Sequence, residues 1–142
     1  MDELVVRIYE EARPFLPCDF FTGRESFEDL MHKVLVAKGA EFCISHDFPS
    51  VSLCAEIKAR GAAEKGVYID AGKLALSNPK RVAIVGDTEA TLSYDVAGYP
   101  CRVILMKGAK AHIKASGYAV VAIQAQDGCE YDVETKDNAV VR

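Results

Sequence analysis

From Val67 to Arg142 the chain returns to one pattern four times, and that recurrence limits the folds open to it. Four apolar runs, Val67-Tyr68-Ile69, Val82-Ala83-Ile84-Val85, Val103-Ile104-Leu105-Met106 and Val121-Ala122-Ile123, are each followed by a turn carrying Gly72, Gly86, Gly108 or Gly128. After each turn a second run has alternate residues apolar or small: Leu74 and Leu76, Ala90 and Leu92, Ala111 and Ile113, Tyr131 and Val133. Alternation with period two is the mark of a half-buried strand. The second runs are offset by 16, 21 and 20 residues, and a recurrence of this size points to stacked coils. A third corner is expected at Gly98, Gly117 and Asn138, residue types that tolerate positive φ.

Charge supplies an internal check on the register. A shift of 20 places Lys110 beside Glu130, His112 beside Asp132 and Lys114 beside Glu134, while Cys129, Tyr131 and Val133 stack on Ala109, Ala111 and Ile113. Adjacent strands lie about 4.8 Å apart, so residues related this way are direct neighbours in a parallel stack. An ordinary antiparallel sheet with coincidental spacing is the alternative. The expected fold is therefore α+β: a helical N-terminal cap, residues 1–66, on a short right-handed β-solenoid of about four coils, residues 67–142, the two forming one folding unit.

Within the N-terminal part, Leu4, Val5, Ile8 and Ala12 share one face of a short helix that Pro14 stops. Residues 13–24 read as an irregular segment whose aromatics cover an apolar surface. A capping signal at Thr22 to Glu25, or at Ser26 to Asp29, precedes Phe27, Leu30, Met31, Val34 and Leu35 at helical spacing, with Gly39 as the residue beyond the helix. Phe42, Cys43 and Ile44 read as a short strand. Asp47-Phe48-Pro49-Ser50 then opens a helix with Leu53, Cys54 and Ile57 inward, ending at Gly61, and residues 62–66 link it to the first coil.

Composition narrows the function classes. Residues 1–66 carry 8 basic and 12 acidic side chains and residues 67–142 carry 9 of each, which is not the basic footprint of a nucleic-acid binder. The local basic run Arg102, Lys107, Lys110 and Lys114 reads as a solvated face whose partners come from the next coil. No run of 18 apolar residues and no leader pattern occurs, so neither a membrane span nor a signal peptide is expected and the cytoplasm is the expected compartment. Five cysteines at irregular spacing, Cys18, Cys43, Cys54, Cys101 and Cys129, argue for reduced thiols rather than a disulfide framework.

The densest reactive cluster is Cys43, His46, Asp47 and Cys54, with Cys18 and Asp19 as possible neighbours in space. Cys43-x2-His46 suits two zinc ligands, and Cys18, Cys43, His46 and Cys54 form the candidate metal set, although the second ligand pair of a zinc signature is missing. Cys43, His46 and Asp47 are also the candidate nucleophile, base and orienting acid of a thiol-based enzyme. Against both stands the reading of these thiols as core residues and Asp47 as a helix cap. His112 is accounted for by Asp132. Acids near the coil corners, Asp70, Asp87, Asp95, Asp127 and Asp137, could be catalytic carboxylates of the kind polysaccharide-cleaving β-helices use, but turns favour Asp for backbone reasons. There is no phosphate-binding loop or dinucleotide fingerprint, so no cofactor is expected.

Two stretches, residues 41–50 (EFCISHDFPS) and residues 108–121 (GAKAHIKASGYAVV), resemble small uncharacterised prophage and mobile-element proteins of Bacteroides-type bacteria. The resemblance runs from about Phe42 onward and implies no assigned chemistry. The coil pattern is also loosely similar to that of bactofilins, in architecture alone, and the helical N-terminal third departs from it. Together these readings predict a non-enzymatic interaction or structural module acting through the solenoid surface or its C-terminal end. The alternative is an enzyme or ligand-binding domain using the Cys43, His46 and Asp47 region or a groove along the coils. Val140 and Val141 would expose an apolar edge on the last coil, so a protein partner or a closed two-fold homodimer is expected there. Head-to-tail contact would be obstructed by a helical cap on the first coil.

Overall fold

A computed structural model describes residues 2–15 and 22–142. Cys18, Asp19 and the aromatics expected at 16–21 lie outside the described residues. Among the described residues four helices come first: α1 (Glu3–Ala12), α2 (Phe27–Leu35), α3 (Ala37–His46) and α4 (Val51–Ala59), with 3-10 turns at Arg13–Phe15 and Ala62–Lys65. Nine strands follow: β1 (Val67–Ile69), β2 (Gly72–Ser77), β3 (Arg81–Val85), β4 (Thr88–Tyr94), β5 (Pro100–Met106), β6 (Lys110–Ala115), β7 (Val120–Ala125), β8 (Glu130–Thr135) and β9 (Val140–Val141).

The helices begin where short polar side chains satisfy free amides. Asp2 accepts from Leu4 and Val5, Ser26 from Asp29, and Ser50 from Leu53. The buried faces of α1 and α4 are the expected ones, Leu4, Val5, Ile8 and Ala12, and Leu53, Cys54 and Ile57. Salt bridges tie these two helices together, Arg7 to Glu56 at 2.6 Å and Arg60 to Asp2.

Three local expectations do not hold. Residues 42–44 are helical, because a short apolar run carries no period of its own and this one sits in α3, burying Ala40 and Cys43. Gly39 lies inside α3 rather than after α2, since Val36 alone separates the two helices. Asp47 ends α3 with a left-handed φ of 48° instead of opening α4, whose N-cap is Ser50.

The strands wind into a parallel β-solenoid of about four coils. Odd-numbered strands form a five-stranded sheet in the order β1-β3-β5-β7-β9, and even-numbered strands a four-stranded sheet in the order β2-β4-β6-β8. All pairings are parallel, in the predicted register: Leu74 faces Ala90, Ala90 faces Ala111, and Ala111 faces Tyr131. An antiparallel sheet is thereby ruled out. The final corner turns at Asp137, φ 59°, one residue before the expected Asn138.

Corner acids serve the backbone. Asp70 Oδ1 accepts from the Asp87 amide at 2.7 Å, and Asp137 Oδ2 from the Gly117 amide at 3.2 Å. Gly86 holds φ 70°, and a Cβ there would lie 2.2 Å from Asp70 Oδ1, so this corner needs glycine on two counts.

Two cores result, separated by the first sheet. Between the sheets lie Val82, Ile84, Leu92, Val103, Leu105, Ile113 and their neighbours, and among the described residues this core contains no helical one. On the other face of the first sheet, Val67, Ile69, Ala83, Val85, Ile104 and Met106 pack against the helices. The helical layer therefore covers the flank of the stack rather than its end. At β7 it is held by polar contacts, with Gln124 Nε2 donating to the Ala37 carbonyl at 3.1 Å. Just past the end of β7, Gln126 Nε2 donates to the Ile44 carbonyl at 3.3 Å.

Candidate functional site

The residues that the sequence offers for chemistry sit where the helices meet the coils, and they point different ways. Cys43 is buried on the inner face of α3, His46 is exposed at its end, and Asp47 is exposed beyond it. The Asp47 backbone N–H donates to the Cys43 carbonyl as α3 ends, but among the described residues no side-chain hydrogen bond joins Cys43 to His46 or Asp47. The His46 ring stacks on Phe15 with centroids 4.6 Å apart and tilts against Phe42 at 4.9 Å. Burial pushes the Cys43 thiol up to about 12 and the Cys54 thiol up to about 11, so neither supplies a thiolate near neutral pH. Among the described residues no three His, Cys, Asp or Glu side chains come together in a group that could hold a metal ion.

Both thiols line an apolar cavity of about 50 Å³ together with Ile8, Leu30, Met31 and Met106. Apart from Lys107 its lining is apolar, so it offers no set of convergent polar groups to orient a ligand.

Asp47 has a different role, legible only in three dimensions. Lys107 Nζ donates to Asp47 Oδ1 at 2.9 Å, and Gln126 Nε2 donates to the same oxygen at 3.0 Å. The Lys107 hydrogen bond, then that of Gln126, holds the Asp47 carboxyl below its usual range. Lys107 is therefore not part of a solvated basic face. Its side chain is only 12% exposed, and it clips the solenoid to the end of α3. Arg102 likewise turns to Gln124, at 2.6 Å.

The second locus is the last coil. In β6 the inward residues Ala111 and Ile113 are each 1% exposed, whereas Tyr131 and Val133, directly above them in β8, are 49% and 38% exposed. All six residues of β8 are exposed. Only one edge of β8 is paired, since β6 is its single neighbour in the sheet. Val141 lies over Val121 on the inward column and Val140 over Val120 on the outer side. Tyr131 and Val133 are inward positions by their sequence pattern, and their exposure makes them part of the same surface as Val140 and Val141.

No protein-family model matches the chain, and no curated protein or solved structure matches it. The resemblance to prophage and mobile-element proteins therefore gains no support, while the likeness to β-helices holds as architecture. No helix among the described residues is long and apolar enough to cross a membrane.

On the outer face of the second sheet the predicted register holds for all three charged pairs, but they differ in closeness. His112 Nδ1 lies 2.8 Å from Asp132 Oδ1, and its Nε2 lies 3.4 Å from Glu89 Oε1. Lys110 with Glu130 and Lys114 with Glu134 are neighbours in register without closing into ion pairs, as exposed side chains with little to gain from one geometry commonly are. The hydrogen bond to Asp132, followed by that to Glu89, raises the His112 pKa above its ordinary 6.5. A raised folded-state pKa means that the stabilisation is fully present below the unfolded value and is lost as pH rises through the folded one. The expected result is a His112 NMR titration midpoint above 6.5, and a pH-dependent part of the stability that His112→Asn removes. A midpoint below the ordinary value would contradict the arrangement.

Proposed function

We propose that this protein is a non-enzymatic interaction module that binds a protein partner on its last coil, a second copy of the chain being the partner considered first. What supports the reading is one observation. Tyr131 and Val133 occupy a column that is closed to solvent one coil below and open on β8. A half-covered apolar column beside an unpaired strand edge is the kind of surface that natural proteins usually protect or use. The chemistry it offers a partner is strand addition: backbone hydrogen bonds along β8, with apolar side chains landing on Tyr131, Val133 and Val141.

The test is association measured by sedimentation and light scattering up to high micromolar concentration. The wild-type chain is expected to form a larger species as concentration rises. Tyr131→Lys with Val133→Lys, and independently Val140→Lys, are expected to shift the association to at least about tenfold higher concentration, the effect of losing roughly 1.4 kcal/mol of binding. These are surface positions, so little change in folding is expected. A wild-type chain that stays monomeric throughout, with the substitutions silent, would overturn the reading.

A further inference from the structure

The register of the second sheet sets out a column of alternating charge. Lys73 of β2 faces Glu89 of β4, Glu89 faces Lys110 of β6, and Lys110 faces Glu130 of β8. Sign reverses at every strand, and a strand added beyond β8 continues the series only if it brings a cation to that position. β2 carries one, in Lys73. The two neighbouring columns are compatible with the same addition: β2 presents Ala75 and Ser77 where β8 presents Asp132 and Glu134.

The inward columns agree. Leu74 and Leu76 on β2 and Tyr68 on β1 are only partly buried against the inter-sheet core, leaving apolar surface at the first coil as Tyr131 and Val133 do at the last. In continued register Leu74 falls on Tyr131 and Leu76 on Val133. Among the described residues the helices, packed on the flank of the first sheet, contribute no side chain to the inter-sheet core that ends here, so none of them closes it as an end cap would.

We infer that two copies associate head to tail, the first coil of one seated in register on the last coil of the other, with Lys73 of the second copy beside Glu130. This rests on the reading of the last coil as the interaction surface. A two-fold arrangement through the same surface would set β8 against β8, bringing Glu130, Asp132 and Glu134 of both copies together. Like charges directly opposite are destabilising. The polar arrangement places a lysine there instead, and because each copy keeps one free end, association is open rather than closed.

The test uses a zero-length carbodiimide cross-linker on the wild-type chain, followed by peptide mass spectrometry. Within one chain Lys73 and Glu130 are three strand spacings apart, about 14 Å, so an amide between them reports contact between copies. The expected result is a Lys73–Glu130 amide in species larger than the monomer, with Lys73–Glu89 and Lys110–Glu130 as internal references. In parallel, a chain blocked at its last coil (Tyr131→Lys, Val133→Lys) is mixed with one blocked at its first (Leu74→Lys, Leu76→Lys). Each should be monomeric alone, and the mixture should form a one-to-one pair that grows no further. Because the cross-link is read on the unaltered chain, it decides the matter even if a blocked variant fails to fold. If the first-coil variant alone forms a dimer and no Lys73–Glu130 amide appears, this inference falls while the last coil keeps its role. A monomer under all conditions, with only the reference amides, overturns both.

Discussion

Ile104→Ala is expected to lower stability by about 2–5 kcal/mol, the cost of emptying a core position of a large aliphatic side chain. Ile104 lies on β5, the central strand of the five-stranded sheet, and is 1% exposed. Its neighbours in sequence, Val103 and Leu105, face the inter-sheet core, while Ile104 faces the helices. It also lines the 50 Å³ cavity already present there, so the removed methyl groups enlarge an existing void that rigid strands cannot collapse into. Urea denaturation followed by circular dichroism measures the effect. Because Ile104 joins helices to sheet, helical and sheet signals should be lost in one transition at lower urea. If the helices sat over the end of the stack, Ile104 would face solvent and the change would stay within about 0.5 kcal/mol. That result would exclude the flank arrangement.

Gly39→Ala is expected to destabilise by about 1–3 kcal/mol, the usual range for overpacking a tight site. Helix propensity alone predicts the opposite sign, since alanine is favoured over glycine in a helix interior by about 1 kcal/mol. Geometry decides it. A Cβ on Gly39 would stand 1.9 Å from the Lys33 carbonyl oxygen and 2.9 Å from its carbon, both backbone atoms of α2. Neither can swing aside as a side-chain tip could, so α2 and α3 must separate around the one-residue joint at Val36. Thermal unfolding of the Gly39→Ala variant checks the sign, and a variant as stable as the parent would mean that the helices cross less closely than described.

The position of Gly39 shows how far local signals reach. A glycine after an amphipathic run reads as a helix terminator, and the same residue is equally required where two backbones touch. Nothing within a few residues of Gly39 separates those cases. Asp47 is similar: an acid before Pro-Ser suggests the start of a helix, but Lys107, sixty residues away, gives it its partner. The Cys43, His46 and Asp47 cluster was legible as a list of residue types, and the helical conformation of residues 42–44 is what turns the thiol inward and the imidazole outward.

What the sequence by itself determined is the solenoid: its parallel register, its inward columns and the His112–Asp132 neighbours. Each coil contacts only the coils next to it, so a repeat one coil long states the pairing rule directly, and alternation along β4, β6 and β8 states which side chains face in. The flank arrangement also left a trace, in that Val82–Val85 and Val103–Met106 are apolar without alternation, as strands buried on both faces are. Which element covers the outer face is another matter. Only the tertiary structure decided that the helices lie there and that, among the described residues, none of them enters the inter-sheet core. Docking depends on residues far apart in the chain, such as Ile8 and Ile104 around one cavity and Asp47 with Lys107, and no periodicity encodes them.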